Sequence, residues 1–277
     1  PTAFTLAGGP VFGVHYRHPM LDTWSSRLGA QFVLNLEDLE TSDRESIVRG
    51  YLHRFGKRMN AEQIRLLLLK EDSHNPLYLL TALEELRTLG LYNELTERIE
   101  VLPGRACDLF LWIFNERLPK DPGFQDRAGR SVGPALVSGF LSSIAASRNG
   151  LSHKELVDLI APGDPEGNVA ALERLLRSYL TQREELLTFH HSQFQEAAEL
   201  EYLHDPRSRQ KIHRRIAEFF FQLHQREGTL SSPSWSRMST ELPYQAALAG
   251  DGNRLAGLVL HSHDWHDPVS STLFQLN

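Results

Sequence analysis

The side chains of this chain best suited to chemistry are its histidines, and one six-residue stretch holds three of them: His261-Ser262-His263-Asp264-Trp265-His266. Imidazoles beside a carboxylate are apt zinc ligands. A closed site needs further ligands, and no histidine or cysteine follows His266, so the stretch reads as solvated histidines in a terminal segment. A second pair, His190-His191, falls where a short apolar run meets a helical pattern. An imidazole there can pack or cap locally, or it can donate to an anion. Serine nucleophile chemistry has no support, because no Gly-x-Ser-x-Gly elbow occurs. A phosphate-cradling Gly-x-x-x-x-Gly-Lys-Ser/Thr loop is also missing; Gly8-Gly9-Pro10 has neither the lysine nor a following helix. No acidic cluster after a strand offers a magnesium site.

The elements that must position these residues are mostly helical. Residues 1–35 stand apart, with Gly8, Gly9, Gly13, Pro10 and Pro19 bounding short strand-like runs at 3–7 and 31–34. A helix is predicted to start at Ser42 or Asp43 and to stop at Gly56, with Ile47, Tyr51 and Phe55 as its apolar stripe. Asn60 caps a second helix, Pro76 opens a third through Leu79, Leu80, Leu83 and Leu86, and Leu91, Leu95 and Ile99 mark a fourth. Pro103-Gly104 breaks the pattern. Beyond it come a helix at 107–118, a polar loop at 120–130 and a small-residue helix at 132–147. Helices at 152–160 and 169–180 follow, then a strand-like run at 185–190, together a helix-turn-helix with a wing. Helices are expected again at 191–203, 207–226, 235–249 and 253–261. The Phe219-Phe220-Phe221 run predicts a core helix with one ring turned elsewhere.

Ser73-His74-Asn75-Pro76-Leu77-Tyr78-Leu79, preceded by Tyr51-Leu52 and Phe55-Gly56-Lys57, resembles the helical lid of NACHT-type STAND (signal-transduction) ATPases. Phe189-His190-His191-Ser192-Gln193-Phe194-Gln195-Glu196 resembles the end of the winged-helix domain of that family, roughly Phe-x-His-x-x-Phe-x-Glu. Glu241-Leu242-Pro243-Tyr244-Gln245, with Leu248-Ala249-Gly250 and Arg254-Leu255, looks like the segment joining such cores to WD40 or tetratricopeptide sensors. The order of these short motifs covers roughly residues 30–260.

The resemblance implies a mostly α fold in four parts. Residues 1–35 would be the last strands of an α/β nucleotide-binding domain, 36–103 a helical lid, 104–204 a winged-helix domain, and 205–277 a helical segment leading to sensor repeats. It implies that Pro76 meets the adenine of ADP and that His191 meets the β-phosphate in the resting state. It departs from the family at His74, where a glycine often stands. The implied partners are the missing domain with its P-loop, WD40 or tetratricopeptide-like sensor repeats, and further copies of the chain on activation. ADP or ATP with magnesium would belong to the full-length parent, in a cytoplasmic switch of innate immunity, cell death or anti-phage defence. The fragment alone is expected neither to hydrolyse ATP nor to hold nucleotide tightly. Two alternatives stay open: the core of a STAND-type transcriptional regulator, and a nucleotide-free helical scaffold.

Composition narrows the classes further. At 277 residues, 41% hydrophobic and 23% charged, the chain can bury a core. Its 29 basic against 35 acidic residues, a net charge of -6, disfavour general nucleic-acid or membrane-surface binding. The helix expected at 169–180 offers Arg174, Arg177 and Ser178 but also Glu173, and Arg183 stands beside Glu184 and Glu185. That balance disfavours groove reading as well. One cysteine excludes a disulfide framework and fits a reducing compartment. No apolar run approaches the ~20 residues of a bilayer span. An opening Pro1 instead of Met reads as a piece of a longer chain.

Overall fold

The computed structural model describes residues 10–11, 14–15, 38–87, 94–162, 164–227, 232 and 234–276. They are mostly helical, with two small antiparallel sheets. The strand-like runs expected at 3–7 and 31–34 lie outside the described residues; β1 (Pro10–Val11) and β2 (Val14–His15) pair as a short hairpin. The chain divides into two compact units, Pro1–Trp112 and Ile113–Asn277.

In the first unit α1 (Thr41–His53) buries Val48 and Leu52, and α2 (Ala61–Leu68) buries Ile64 and Leu67. The start of α2 is fixed by a reciprocal cap: Asn60 Oδ1 accepts from the Gln63 amide at 2.8 Å, and Gln63 Oε1 accepts from the Asn60 amide at 3.0 Å. Helix α3 (Pro76–Arg87) carries the centre of this core, with Tyr78, Leu79, Ala82, Leu83 and Leu86 buried. Each such leucine contributes about 1.5–3 kcal/mol by leaving water. Helix α4 (Leu95–Val101) adds Leu95 and Ile99, and α5 (Ala106–Trp112) adds Leu109 and Phe110.

The chain then winds more loosely, as a π-helical turn over Ile113–Arg117, and enters the second unit. Its order is α6 (Gly133–Ala146), β3 (Leu151–Ser152), α7 (His153–Ile160), α8 (Asn168–Leu175), β4 (Leu180–Arg183), β5 (Leu186–Phe189) and α9 (Ser192–Leu203). The small residues of α6 do admit close packing: a side chain at Gly139 would press on Ile160. A second reciprocal cap, Ser152 with Glu155, starts α7.

Here the sequence reading missed two strands. The run at 185–190 is the middle strand of a three-stranded antiparallel sheet, order β3-β5-β4, with Thr181 opposite Thr188 and Leu151 opposite Leu187. The helix expected at 169–180 stops at Leu175, because Leu180–Arg183 is taken by sheet pairing, which overrides a weak helical preference. Arg177 and Ser178 therefore fall in the turn after α8. Gly150, entering β3 at φ +88°, has to be glycine: a Cβ there would run into the Leu187 carbonyl.

Four further helices complete the unit: α10 (Pro206–Glu227), α11 (Trp235–Leu248), α12 (Gly252–His261) and α13 (His266–Leu276). Helix α13 was not expected; Trp265, in the turn before it, is only 1% exposed, and Val269 and Thr272 are buried. Within the Phe219–Phe221 run, Phe220 is the buried ring and Phe221 lies under the Arg254 guanidinium, 4.7 Å away. The stretches 104–204 and 205–277, expected as separate domains, share this unit from Ile113 onward.

Candidate functional site

Pro76 belongs to the first unit and His191 to the second. Pro76 is exposed at the first position of α3, where a residue without an N–H leaves no helical bond unmade. Asn75 sets it there: its side chain accepts from the Leu77 amide at 2.9 Å and its carbonyl from the Leu79 amide at 3.0 Å. The loop before Asn75 is tied down on every side. Asp72 accepts from the Ala106 amide at 2.8 Å, and its own amide donates to the Gly104 carbonyl. Ser73 is buried, taking a bond from Arg44 and giving one to the Leu68 carbonyl, both at 2.7 Å. Tyr78 donates to the Pro103 carbonyl at 2.7 Å. His74 is half-buried, its Nε2 3.9 Å from Asp38. The proline thus presents its ring from a rigid platform.

His191 is half-buried at the junction of β5 and α9 and is the N-cap of α9. Its carbonyl accepts the first helical bonds, from the Phe194 and Gln195 amides at 3.1 and 3.2 Å, but its imidazole caps nothing. Burial holds that imidazole below the usual histidine range, and the neighbouring His190 pushes the same way. The two rings meet edge to face at 4.3 Å. The junction is held by Phe194, fully buried, which stacks on Tyr179 at 4.7 Å and meets Phe114 and Phe189 at 4.9 and 5.3 Å. Gln193 Oε1 is buried with no partner among the described residues. Glu196 is pushed up by burial and by Glu199. An imidazole N–H and the first amides of a 12-residue helix are groups that can donate to an anion.

The Glu241–Gln245 motif proves to be a joint. The fully buried Glu241 carboxylate accepts from the Arg148 and Asn149 amides at 3.2 and 3.1 Å, from Gln245 at 3.0 Å and from Arg237 at 3.4 Å. Arg237 also grips Glu155 with two nitrogens at 3.1 Å and donates to the Gly150 carbonyl. Gln245 bridges the Ala146 carbonyl and the buried His213, 2.7 Å from its Nδ1. Helix α11 is thereby bonded to the turn between α6 and β3.

No family model matches the chain. Over 216 residues it is 27% identical to a TPR repeat-containing protein of Dictyostelium discoideum, covering 77% of this chain and 12% of that protein. Over 129 residues it is 40% identical to telomerase protein component 1 of Mus musculus, covering 45% of this chain and 4% of that protein. The Rattus norvegicus protein of the same name is 40% identical over 77 residues, or 26% of this chain and 3% of that one. The chain matches small parts of much longer proteins. No solved structure matches it.

His261, His263 and His266 are exposed, while the tryptophan among them is core. Among the described residues no group of three metal-ligating side chains converges, and no helix is long and apolar enough to cross a membrane. What the sequence hid at the second site was Gln193, whose isolation depends on packing that no local pattern encodes.

Proposed function

We propose that this chain is the regulatory portion of a NACHT-type STAND ATPase, closing on ADP at rest and releasing it when the parent is triggered. The observation that carries the proposal is His191, a half-buried imidazole at a helix start with no capping role. The order of elements supports it: a helical unit with an exposed Pro76 at a helix start, then helix, strand, two helices and a hairpin running into α9. That second order fits a winged-helix domain, and the helices of 36–103 fit the lid. In this reading Pro76 lies flat against the adenine. His191 donates to a β-phosphate oxygen beside the α9 amides. Magnesium and the lysine that cradles the phosphates come from the missing nucleotide-binding domain. A contact made in the closed state alone is what gives a nucleotide leverage over a two-state equilibrium.

In the full-length parent, His191→Ala should weaken ADP retention by about tenfold, the loss of one charge-assisted hydrogen bond, and raise basal activity. Mass spectrometry of nucleotide released from the purified protein measures the first. Unchanged ADP occupancy together with unchanged basal activity rejects the role.

One comparison favours a second reading. The similarity to a TPR repeat-containing protein spans 77% of this chain, and α10–α13 are successive helices of the kind that stack into arrays. A nucleotide-free helical scaffold would co-purify with no nucleotide even at full length.

A further inference from the structure

Helix α10 carries a charge pattern that the acidic whole conceals. Residues 206–217 hold five cations, Arg207, Arg209, Lys211, Arg214 and Arg215, and no carboxylate, in a chain of net charge -6. At 3.6 residues per turn, Arg207, Lys211 and Arg214 fall within about 60° of one another, and Arg215 lies about 40° beyond Lys211. The buried side chains of the helix, His213, Ile216, Ala217 and Phe220, take the opposite side. Arg207, Lys211, Arg214 and Arg215 are all exposed and form one outward stripe, about 12 Å long at 1.5 Å per residue.

Nothing within the described residues neutralises the stripe. Elsewhere in the second unit exposed cations sit on carboxylates, as in Lys120–Glu116, Arg127–Glu166 and Arg130–Asp126. The side chains of Arg207, Lys211 and Arg214 have no ion pair or hydrogen bond among the described residues. Arg215 gives one nitrogen to the Ser143 hydroxyl of α6 at 2.7 Å, which steadies the guanidinium and leaves its charge unpaired. The next carboxylate in line, Glu218, is bonded to Arg254 at 2.8 Å and to Gln222 at 3.0 Å. At physiological salt, exposed charges more than about 8 Å apart are largely screened from each other. The stripe therefore acts by its own sign and not by that of the whole chain.

The make-up of the stripe selects the kind of polyanion. Every exposed residue over 207–215 is polar or charged. A protein partner needs an apolar centre to its interface, and a nucleic-acid single strand needs aromatic rings on which to stack. A membrane surface needs an apolar face to insert, and α10 has turned its apolar face into the core. A duplex needs none of these, because its phosphates bind cations by releasing condensed counterions, whatever the sequence. Over about 12 Å of axis, one strand of a duplex presents about three or four phosphates. We propose that the outward face of α10 binds the phosphate backbone of double-stranded nucleic acid without reading its bases.

The test is fluorescence anisotropy of a short labelled duplex of mixed sequence, in DNA and in RNA form, titrated with the 277-residue chain. Both forms should bind, and log K should fall against log salt with a slope of about -3, roughly sixtyfold between about 50 and 200 mM. Arg207→Gln, Lys211→Gln and Arg214→Gln combined, which breaks no bond among the described residues, should weaken binding at least about tenfold at the lower salt. Lys120→Gln, Arg127→Gln and Arg130→Gln combined, an equal change of net charge on the same unit, should weaken it less than about twofold. Absence of binding at about 50 mM salt, or a slope shallower than about -1 in the unsubstituted chain, overturns the proposal. Equal losses in the two triple variants also overturn it. Tighter binding of polyglutamate, or of vesicles containing phosphatidylserine, overturns the choice of nucleic acid. A preference above about tenfold between the DNA and RNA duplexes overturns recognition by the backbone alone.

Discussion

His213 is 3% exposed, and its ring is bonded to the Gln245 side chain. Burial lowers its proton affinity, the Gln245 bond opposes that, and the Arg209 charge adds to the lowering. The unfolded chain therefore binds this proton more readily than the folded one. The stability this gives is complete above the unfolded value of 6.5 and drains away as the pH falls below it. His191 and His224, also lowered by burial, act with the same sign. The melting temperature should fall on acidification from about pH 7.5 to about pH 5.5, in the range where histidines charge. His213→Asn, which can still donate to Gln245, should flatten that slope. A slope identical to that of the parent removes His213 from the account. His191 is the one histidine whose shift has a further consequence, since a bound phosphate would draw its proton affinity back up.

Among the elements, α11 depends most on polar contacts. Its Glu241 neutralises Arg237 and satisfies two amides of the turn after α6. Glu241→Ala should cost about 3–5 kcal/mol, as expected for one partner taken from a buried charged network. Hydrogen exchange should quicken first in α11 and in the turn at 147–150; protection that changes evenly across the second unit would contradict this. The same helix shows what the sequence could and could not reveal. Its bounds followed from periodicity, as did those of α3 and α10, but two stripes were misread. Helix α1 buries Val48 and Leu52 and not Ile47, Tyr51 and Phe55, and it ends at His53 with Phe55 45% exposed, while Leu80 of α3 is 43% exposed. The hairpin β4–β5 was half legible, because Leu180–Arg183 continues a helical pattern and only pairing with β5 decides against it. Helix α13 was hidden by its polar, proline-containing start, His266-Asp267-Pro268. The burial of Trp265 and the partners of Glu241 come from residues far away in sequence, where no pattern reaches. Pro76 and His191 were singled out by motif alone, and their surroundings came from the fold.

At the scale of the whole molecule, two units with separate cores predict that a core substitution acts on one of them. Leu83 is fully buried in the first unit, and Leu83→Ala should cost about 2–5 kcal/mol. Calorimetry should show one heat-absorption component moving to lower temperature while the component from Ile113–Asn277 stays in place. Two components moving together would mean that the chain unfolds as one body.

The joint between α11 and the turn at 147–150 also sets a timetable. The amides of Arg148 and Asn149 precede Glu241 by 93 and 92 residues, and the Arg148 guanidinium waits for the Thr240 carbonyl, 92 residues on, and for Thr272, 124 residues on. A ribosome adding about 5–20 residues per second needs roughly 5–20 s to supply the first of these partners. During that interval the nascent turn and the Arg148 guanidinium stay hydrated. Completion of the second unit is therefore a late, post-emergence event, and an early stop that removes α11 strands the turn in that state.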